Sequence, residues 1–179
     1  MQSRLNNLLL TGRPGVGKTT LLERAVRGLG VPIGGFYTRE IREKGMRVGF
    51  RLTTWGGNGG VLSHVKLESP FHVGKYGVDL AVIEEVGVPA VVDAVEKAGL
   101  IAIDELGRME LFSERFQKAI LSALESRTPL FGVIQERAHP FLDTIRRRPD
   151  VERITVTVDN REELVKVLKQ RLQRLVDSA

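Results

Sequence analysis

The stretch Leu8-Leu9-Leu10-Thr11-Gly12-Arg13-Pro14-Gly15-Val16-Gly17-Lys18-Thr19-Thr20 sets an apolar run directly before the pattern G-x-x-x-x-G-K-[ST]. That pattern works in one setting: a buried strand enters the loop, and a helix leaves it with its N-terminus turned toward the ligand. Successive backbone N–H groups then line a concave cradle for the α- and β-phosphates of a nucleotide, reinforced by the positive end of the helix dipole. Glycine is needed at Gly12, Gly15 and Gly17 for a positive φ or for close approach of phosphate. Lys18 reaches the β- and γ-phosphates in such a loop, and the Thr19 hydroxyl is a ligand for Mg²⁺. Nucleotide binding is therefore expected over Gly12, Arg13, Pro14, Gly15, Val16, Gly17, Lys18, Thr19 and the adjoining Thr20.

The flanking residues supply that setting. Residues 5–11 read as the strand, and Leu21, Leu22, Ala25, Val26 and Leu29 recur at helical spacing until Gly30 closes the segment. Strand character resumes over 33–41, a turn follows at 42–45, and Val48, Phe50 and Leu52 alternate with polar or small residues. After Gly56-Gly57-Asn58-Gly59-Gly60 comes a third short strand, 61–65. Turns this short cannot make a parallel crossover, so these strands are expected to form an antiparallel meander added to a parallel sheet.

Residues 69–77 read as loop, and Leu80, Val82, Ile83, Val86, Val91, Val92 and Val95 as helical segments interrupted near Gly87 and Pro89. Ser113 can cap a helix with the stripe Phe116, Ala119, Ile120, Ala123 and Leu124. A buried strand at 130–134, a short helix at 140–148 and a last strand at 154–158 follow. Asp159 or Asn160 caps the final helix, whose Leu164, Leu168, Leu172 and Leu175 span too few heptads for a coiled coil and are expected to pack on the sheet.

The second half of a site lies at Leu100-Ile101-Ala102-Ile103-Asp104-Glu105. A short continuous apolar run suits a central parallel strand buried on both faces, and this one ends in two carboxylates, as a Walker B strand does. The carboxyl ends of parallel strands share one edge, so Asp104 can approach a metal held by Thr19. Asp104 is expected to hold Mg²⁺ through a water, since Mg²⁺ keeps much of its hydration shell. Glu105 is expected to orient and deprotonate a water aligned with the γ-phosphorus, a pairing that favours hydrolysis over binding alone. Asp104-Glu105-Leu106-Gly107 also fits the D-x-x-G of switch GTPases, but no N-K-x-D or T-K-x-D segment accompanies it to select guanine. Gln135 closes the next buried strand, as a γ-phosphate sensor or as a polar strand end paired with backbone. Further cations come from Arg108, Arg137, Arg146 and Arg147, with Arg108 first because it follows the acidic pair. His64, His72 and His139 lack metal-ligand spacing.

A chain of 179 residues fits one α/β domain, 1–179. The absence of cysteine excludes disulfides, thiolate metal sites and a cysteine nucleophile. The net charge of +5 attracts anions in general, yet no aromatic residues interleave with Arg146-Arg147-Arg148, so nucleic acid is a possible partner and not a required one. Nothing approaches the length of a membrane span, Met1-Gln2-Ser3-Arg4 lacks the pattern of a signal peptide, and the cytoplasm is the expected compartment. A monomer or weak oligomer is expected.

The loop, Gly34-Gly35-Phe36-Tyr37-Thr38, Gly49-Phe50-Arg51, Val73-Gly74-Lys75-Tyr76-Gly77-Val78 and Ile103-Asp104-Glu105-Leu106-Gly107-Arg108-Met109-Glu110-Leu111-Phe112-Ser113 together resemble the THEP-type nucleoside-triphosphatases, a family that includes the human cancer-related nucleoside-triphosphatase. The resemblance runs along essentially the whole chain. It implies a RecA-like P-loop fold, with a mostly parallel sheet and helices on both faces. It implies slow Mg²⁺-dependent hydrolysis of ATP, GTP, CTP and other nucleoside triphosphates to diphosphate and phosphate. It carries nucleotide binding onto the loop and onto Leu100, Ile101, Ala102, Ile103, Asp104, Glu105, Leu106 and Gly107. Gln135 departs from the small residue or Thr, followed by Ile-Pro, usual in the family near this point. Two other readings share the loop: a small-molecule or nucleic-acid kinase with its acceptor site between the meander and Tyr76, and a nucleotide-dependent module that binds RNA or protein.

Overall fold

The computed structural model describes residues 5–179, so the expectation resting on Met1-Gln2-Ser3-Arg4 lies outside the described residues. Strand β1 (Asn7–Thr11) enters the phosphate loop and helix α1 (Lys18–Val26) leaves it. The strands β2 (Ile33–Glu43), β3 (Met46–Thr54) and β4 (Gly59–His64) follow as the expected meander. β7 (Leu100–Leu106), β8 (Leu130–Ile134) and β9 (Val151–Thr155) complete a parallel set with β1 and β2, whose spatial order is β2-β7-β8-β1-β9. The antiparallel half continues outward from β2 through β3 and β4 to two short strands, β6 (Tyr76–Val78) and β5 (His72–Val73), giving one nine-stranded mixed sheet. This is the α/β P-loop fold of RecA-like type that the resemblance implies, with β8 between the loop-bearing strand and the acidic strand.

The central strands are continuously apolar along Leu8–Leu10, Leu100–Ile103 and Leu130–Ile134 because both faces are covered, and their side chains sort by the two-residue period. Leu8, Leu10, Leu100, Ala102, Phe131 and Val133 point to one face, where they pack with Leu21, Leu22 and Ala25 of α1 and with Leu168 and Leu172 of α6 (Arg161–Asp177). Leu9, Ile101, Ile103, Leu130 and Ile134 point to the other, against α3 (Val88–Lys97) and α4 (Glu114–Glu125). Burying each large side chain of these layers contributes about 1.5–3 kcal/mol. The leucines of α6 thus pack inward, as their spacing suggests.

Several boundaries differ from expectation. α1 stops at Val26 because Arg27 is extended, while Gly28 and Gly30 turn the chain with Leu29 still buried between them. The presumed loop 69–77 folds into the β5–β6 hairpin, a pairing too short to leave an alternating pattern. The segment from α2 (Leu80–Val82) to α3 is not interrupted: a π-helical turn (Ile83–Gly87) joins them, with the Val88 N–H bonded to the Ile83 carbonyl. Pro89 falls in the first turn of α3, where its missing N–H is tolerated. β9 begins three residues earlier than 154, since Asn7 N donates to Asp150 O at 3.2 Å and the ladder with β1 starts at Asn7 and Val151. Val156 is buried beyond that strand, and Val158 is exposed.

Ser113 caps α4 as expected, its Oγ accepting from Phe116 N at 3.1 Å. Helix α5 (Pro140–Arg146) is shorter than 140–148 and is capped by His139, whose Nδ1 accepts from Phe141 N. At α6, Asn160 does not supply a side-chain cap; its Oδ1 accepts from Thr157 N at 2.8 Å and its Nδ2 donates to Thr155 O at 2.9 Å, stapling the turn that precedes the helix. Among the described residues no helix is long and apolar enough to cross a membrane.

Candidate active site

Gly12, Gly15 and Gly17 hold φ of 141°, 80° and 101°, the left-handed side of backbone space that their pattern requires. At Gly12 space is closed as well, since a Cβ would lie 2.4 Å from the Val156 carbonyl oxygen. Gly17 enters α1 without any side-chain cap, so the first N–H groups of the helix remain free to face the loop's concave side. Lys18 curls over that loop, its Nζ donating to Gly12 O at 2.6 Å and Arg13 O at 2.9 Å. Arg161, at the start of α6, donates to Val16 O at 3.3 Å and so buttresses the loop from a distant part of the chain. Thr20 is exposed beside Arg161, along the flank of the loop.

Asp104 on β7 reaches this loop. The Thr19 hydroxyl and the Lys18 ammonium both lie near enough to its carboxyl group to favour the charged form. Burial dominates over both and, with the charges of Glu105 and Glu23, pushes the Asp104 carboxyl up to about 7. Among the described residues its Oδ2 is buried with no hydrogen-bond partner. Leu100, Ile101, Ala102, Ile103 and Leu106 are wholly inside the core, so they position the acidic pair while Asp104 and Glu105 form the edge that a ligand can meet.

Glu105 is half-buried and faces the cleft, and its Oε1 accepts a 2.5 Å hydrogen bond from Nε2 of Gln135. Gln135 is held in turn through its own N–H on Leu106 O and through its carbonyl, which accepts from Arg146. Gly107 makes room for the pair, because a Cβ there would lie 2.5 Å from Gln135 Nε2. The Gly107 N–H donates to Oε2 of Glu110 at 3.2 Å.

Glu110 was not singled out by the residue pattern as part of the site. It is fully enclosed, and burial foremost, with the charges of Glu105 and Asp104, pushes it up to about 8. The signal available was its place in the Asp104 to Glu110 signature, one turn beyond the acidic pair, which does not announce burial.

The cations separate into two kinds. Arg108 and Arg137 line a cleft of about 370 Å³ with Gly12, Lys18, Glu105 and Gln135. Among the described residues Arg108 has no ion pair or hydrogen bond. Arg146 is instead occupied structurally: it pairs with Asp143 at 2.6 Å and donates to the carbonyls of Gln135 and Arg137, clamping the loop between β8 and α5. Arg147 ends α5 and lines no part of the cleft. His64 and His72 lie on β4 and β5, and the described residues contain no cluster of three or more His, Asp or Glu side chains arranged for a metal. A larger cavity, about 600 Å³, opens at the amino-terminal end of β2 between Gly34, Asn58, Pro89 and Lys97, on the sheet edge opposite the loop.

The model of a family described as NTPase matches residues 7–168. The nucleoside-triphosphatase THEP1 of Thermotoga sp. (strain RQ2) is 42% identical over 158 residues, covering 88% of this chain and 90% of that protein. The human cancer-related nucleoside-triphosphatase is 39% identical, covering 89% and 92%. The crystal structure of THEP1 from Aquifex aeolicus superposes with a TM-score of 0.85 at 35% identity, covering 93% and 98%.

Proposed function

The chain belongs to the NTPase family and is an enzyme that hydrolyses nucleoside triphosphates, and from that premise we propose how its residues do so. The triphosphate lies along the loop from Gly12 to Thr20, with Lys18 turned from the loop carbonyls to the β- and γ-phosphates. Glu105, aimed by Gln135, takes a proton from a water in line with the γ-phosphorus. The water oxygen bonds to phosphorus as the bond to the β,γ-bridging oxygen breaks, releasing diphosphate and phosphate. Arg108 and Arg137 face the charge that develops on the transferred group.

Mg²⁺ fits the residues present. Asp104 offers a buried carboxylate oxygen without a hydrogen-bond partner, next to the Thr19 hydroxyl, and two oxygen donors plus waters and phosphate oxygens suit this ion. Thr19 and Asp104 would hold it, and when bound it supplies positive charge to the phosphate oxygens. Nothing in the loop or the acidic strand selects a base, so ATP, GTP, CTP and other triphosphates are accepted alike, with slow turnover. The protein acts in the cytoplasm as a monomer or weak oligomer, with no requirement for nucleic acid.

The observation that carries this reading is the hydrogen-bonded carboxylate of Glu105 facing the same cleft as Lys18. Phosphate release by Glu105→Gln tests it. A loss of roughly 10²- to 10⁴-fold with nucleotide binding retained is expected, and unchanged hydrolysis overturns the assignment of the base.

A further inference from the structure

A hydrolase needs space for one water beside the γ-phosphate, yet the cleft continues into a second hollow of about 420 Å³, within the size range of small-molecule sites. The two share Pro14, Glu105, Arg108 and Gln135, so the second hollow opens directly onto the carboxylate assigned as base. Its far wall is built by the antiparallel half of the sheet. Phe50 of β3 and Tyr76 of β6 meet edge to face with ring centroids 5.6 Å apart. The Arg47 guanidinium lies 5.2 Å from the Phe50 centroid, and its Nε donates to the Tyr76 hydroxyl at 3.0 Å. An ion pair from Arg47 to Glu40 at 3.0 Å completes the brace, so the wall is set before any ligand arrives.

We propose that this hollow is a phosphoryl-acceptor site, in which a hydroxylated aromatic molecule of nucleoside size lies against Phe50 and Tyr76 with its hydroxyl at Glu105. The proposal rests on the reading of Glu105 as base and of the loop cleft as the triphosphate site. An aromatic wall favours a planar ring, since stacking is tolerant of the ring's substituents. Arg108, unpaired among the described residues and lining both spaces, stands where the transferred group passes between them. In the transfer the acceptor O–H gives its proton to the Glu105 carboxylate, and the oxygen's electron pair forms the new bond to the γ-phosphorus. The bond from phosphorus to the β,γ-bridging oxygen breaks and its electron pair leaves with the nucleoside diphosphate. Water performs the same step when the hollow holds no acceptor.

The test incubates the enzyme with Mg²⁺, γ-labelled ATP and adenosine, guanosine, cytidine or uridine in turn, and measures labelled nucleoside monophosphate and free phosphate in the same samples. Labelled monophosphate from at least one nucleoside is expected. Val73→Trp, which fills the hollow from the half-buried β5 position, is expected to lower that product roughly tenfold while phosphate release without nucleoside stays as in the wild type. Phe50→Ala is expected to do the same by removing the ring wall, and phosphate release reports that each variant is folded. Free phosphate with no labelled nucleoside product overturns the acceptor site and leaves the hydrolase reading standing. Transfer that persists undiminished in both variants also overturns it, and absence of both products in the wild type overturns the hydrolase reading with it.

Discussion

Gln135 Nε2 donates to Glu105 Oε1 at 2.5 Å, so a side chain at the end of β8 fixes the direction of a carboxylate on β7. The donor occupies one oxygen of Glu105 and leaves the other to the cleft, which is the geometry a general base requires.

Loss of that donor is expected to affect turnover and spare binding. Gln135→Ala is expected to lower kcat roughly 10- to 100-fold with nucleotide Kd within about twofold of the wild type. Gly107→Ala is expected to produce the same split, because its Cβ would meet Gln135 Nε2 at 2.5 Å and displace it. Single-turnover phosphate release alongside titration with a fluorescent nucleotide reads both quantities.

Glu110 predicts how stability depends on pH. Its carboxyl is pushed from 4.5 to about 8 in the folded protein. Between those values the folded state retains a proton that the unfolded state has released, so stability present at pH 4 falls as pH rises toward 8 and levels off above it. Glu110→Gln retains an acceptor for the Gly107 N–H and is expected to flatten this part of the curve, as followed by urea unfolding across that range.

Asp104 is expected to trade stability for function. Asp104→Asn is expected to raise the stability of the metal-free protein at pH 8 by about 1–3 kcal/mol, because it removes a buried charge whose Oδ2 has no hydrogen-bond partner. The same variant is expected to lose Mg²⁺-dependent phosphate release. Thermal melts in chelator and turnover assays across a Mg²⁺ series check the two halves separately.

Arg146 is expected to behave as a clamp. Arg146→Ala frees the carbonyls of Gln135 and Arg137 and breaks the pair with Asp143, at an expected cost of about 2–3 kcal/mol in denaturant unfolding. Its effect on kcat is expected to run in the same direction as that of Gln135→Ala and to be smaller, since Arg146 holds the main-chain carbonyl of the residue whose side chain aims Glu105.

The loop, its strand and its helix were legible because each has a local requirement, positive φ at Gly12 or helical spacing from Leu21 to Val26, that leaves a mark in the residues. The meander was legible for the same reason, through its short turns. The register of β9 was not: Val151, Ile154, Val156 and Val158 offer two plausible alternations, and the choice is made by Asn7 bonding to Asp150, far away in the chain. Nor did spacing distinguish Arg146 from Arg108, because one is neutralised by Asp143 and by backbone carbonyls that only the folded turn brings to it. Glu110 carries no mark of burial in the residue pattern, and its enclosure is a product of the fold around the turn Glu110–Phe112.

Strand β2 pairs with β7 on one side and with β3 on the other, and it runs unbroken from Ile33 to Glu43. The phosphate-binding half and the aromatic wall are therefore parts of one beam, with no joint at which they can swing apart. The reacting phosphorus and the aromatic wall thus keep a fixed separation set by the sheet, and the cleft between them is bordered by Arg108 and Gln135. Such an enzyme has a stiff chassis, and the cations that line its cleft, Arg108 and Arg137, ride on the short segments that follow β7 and β8.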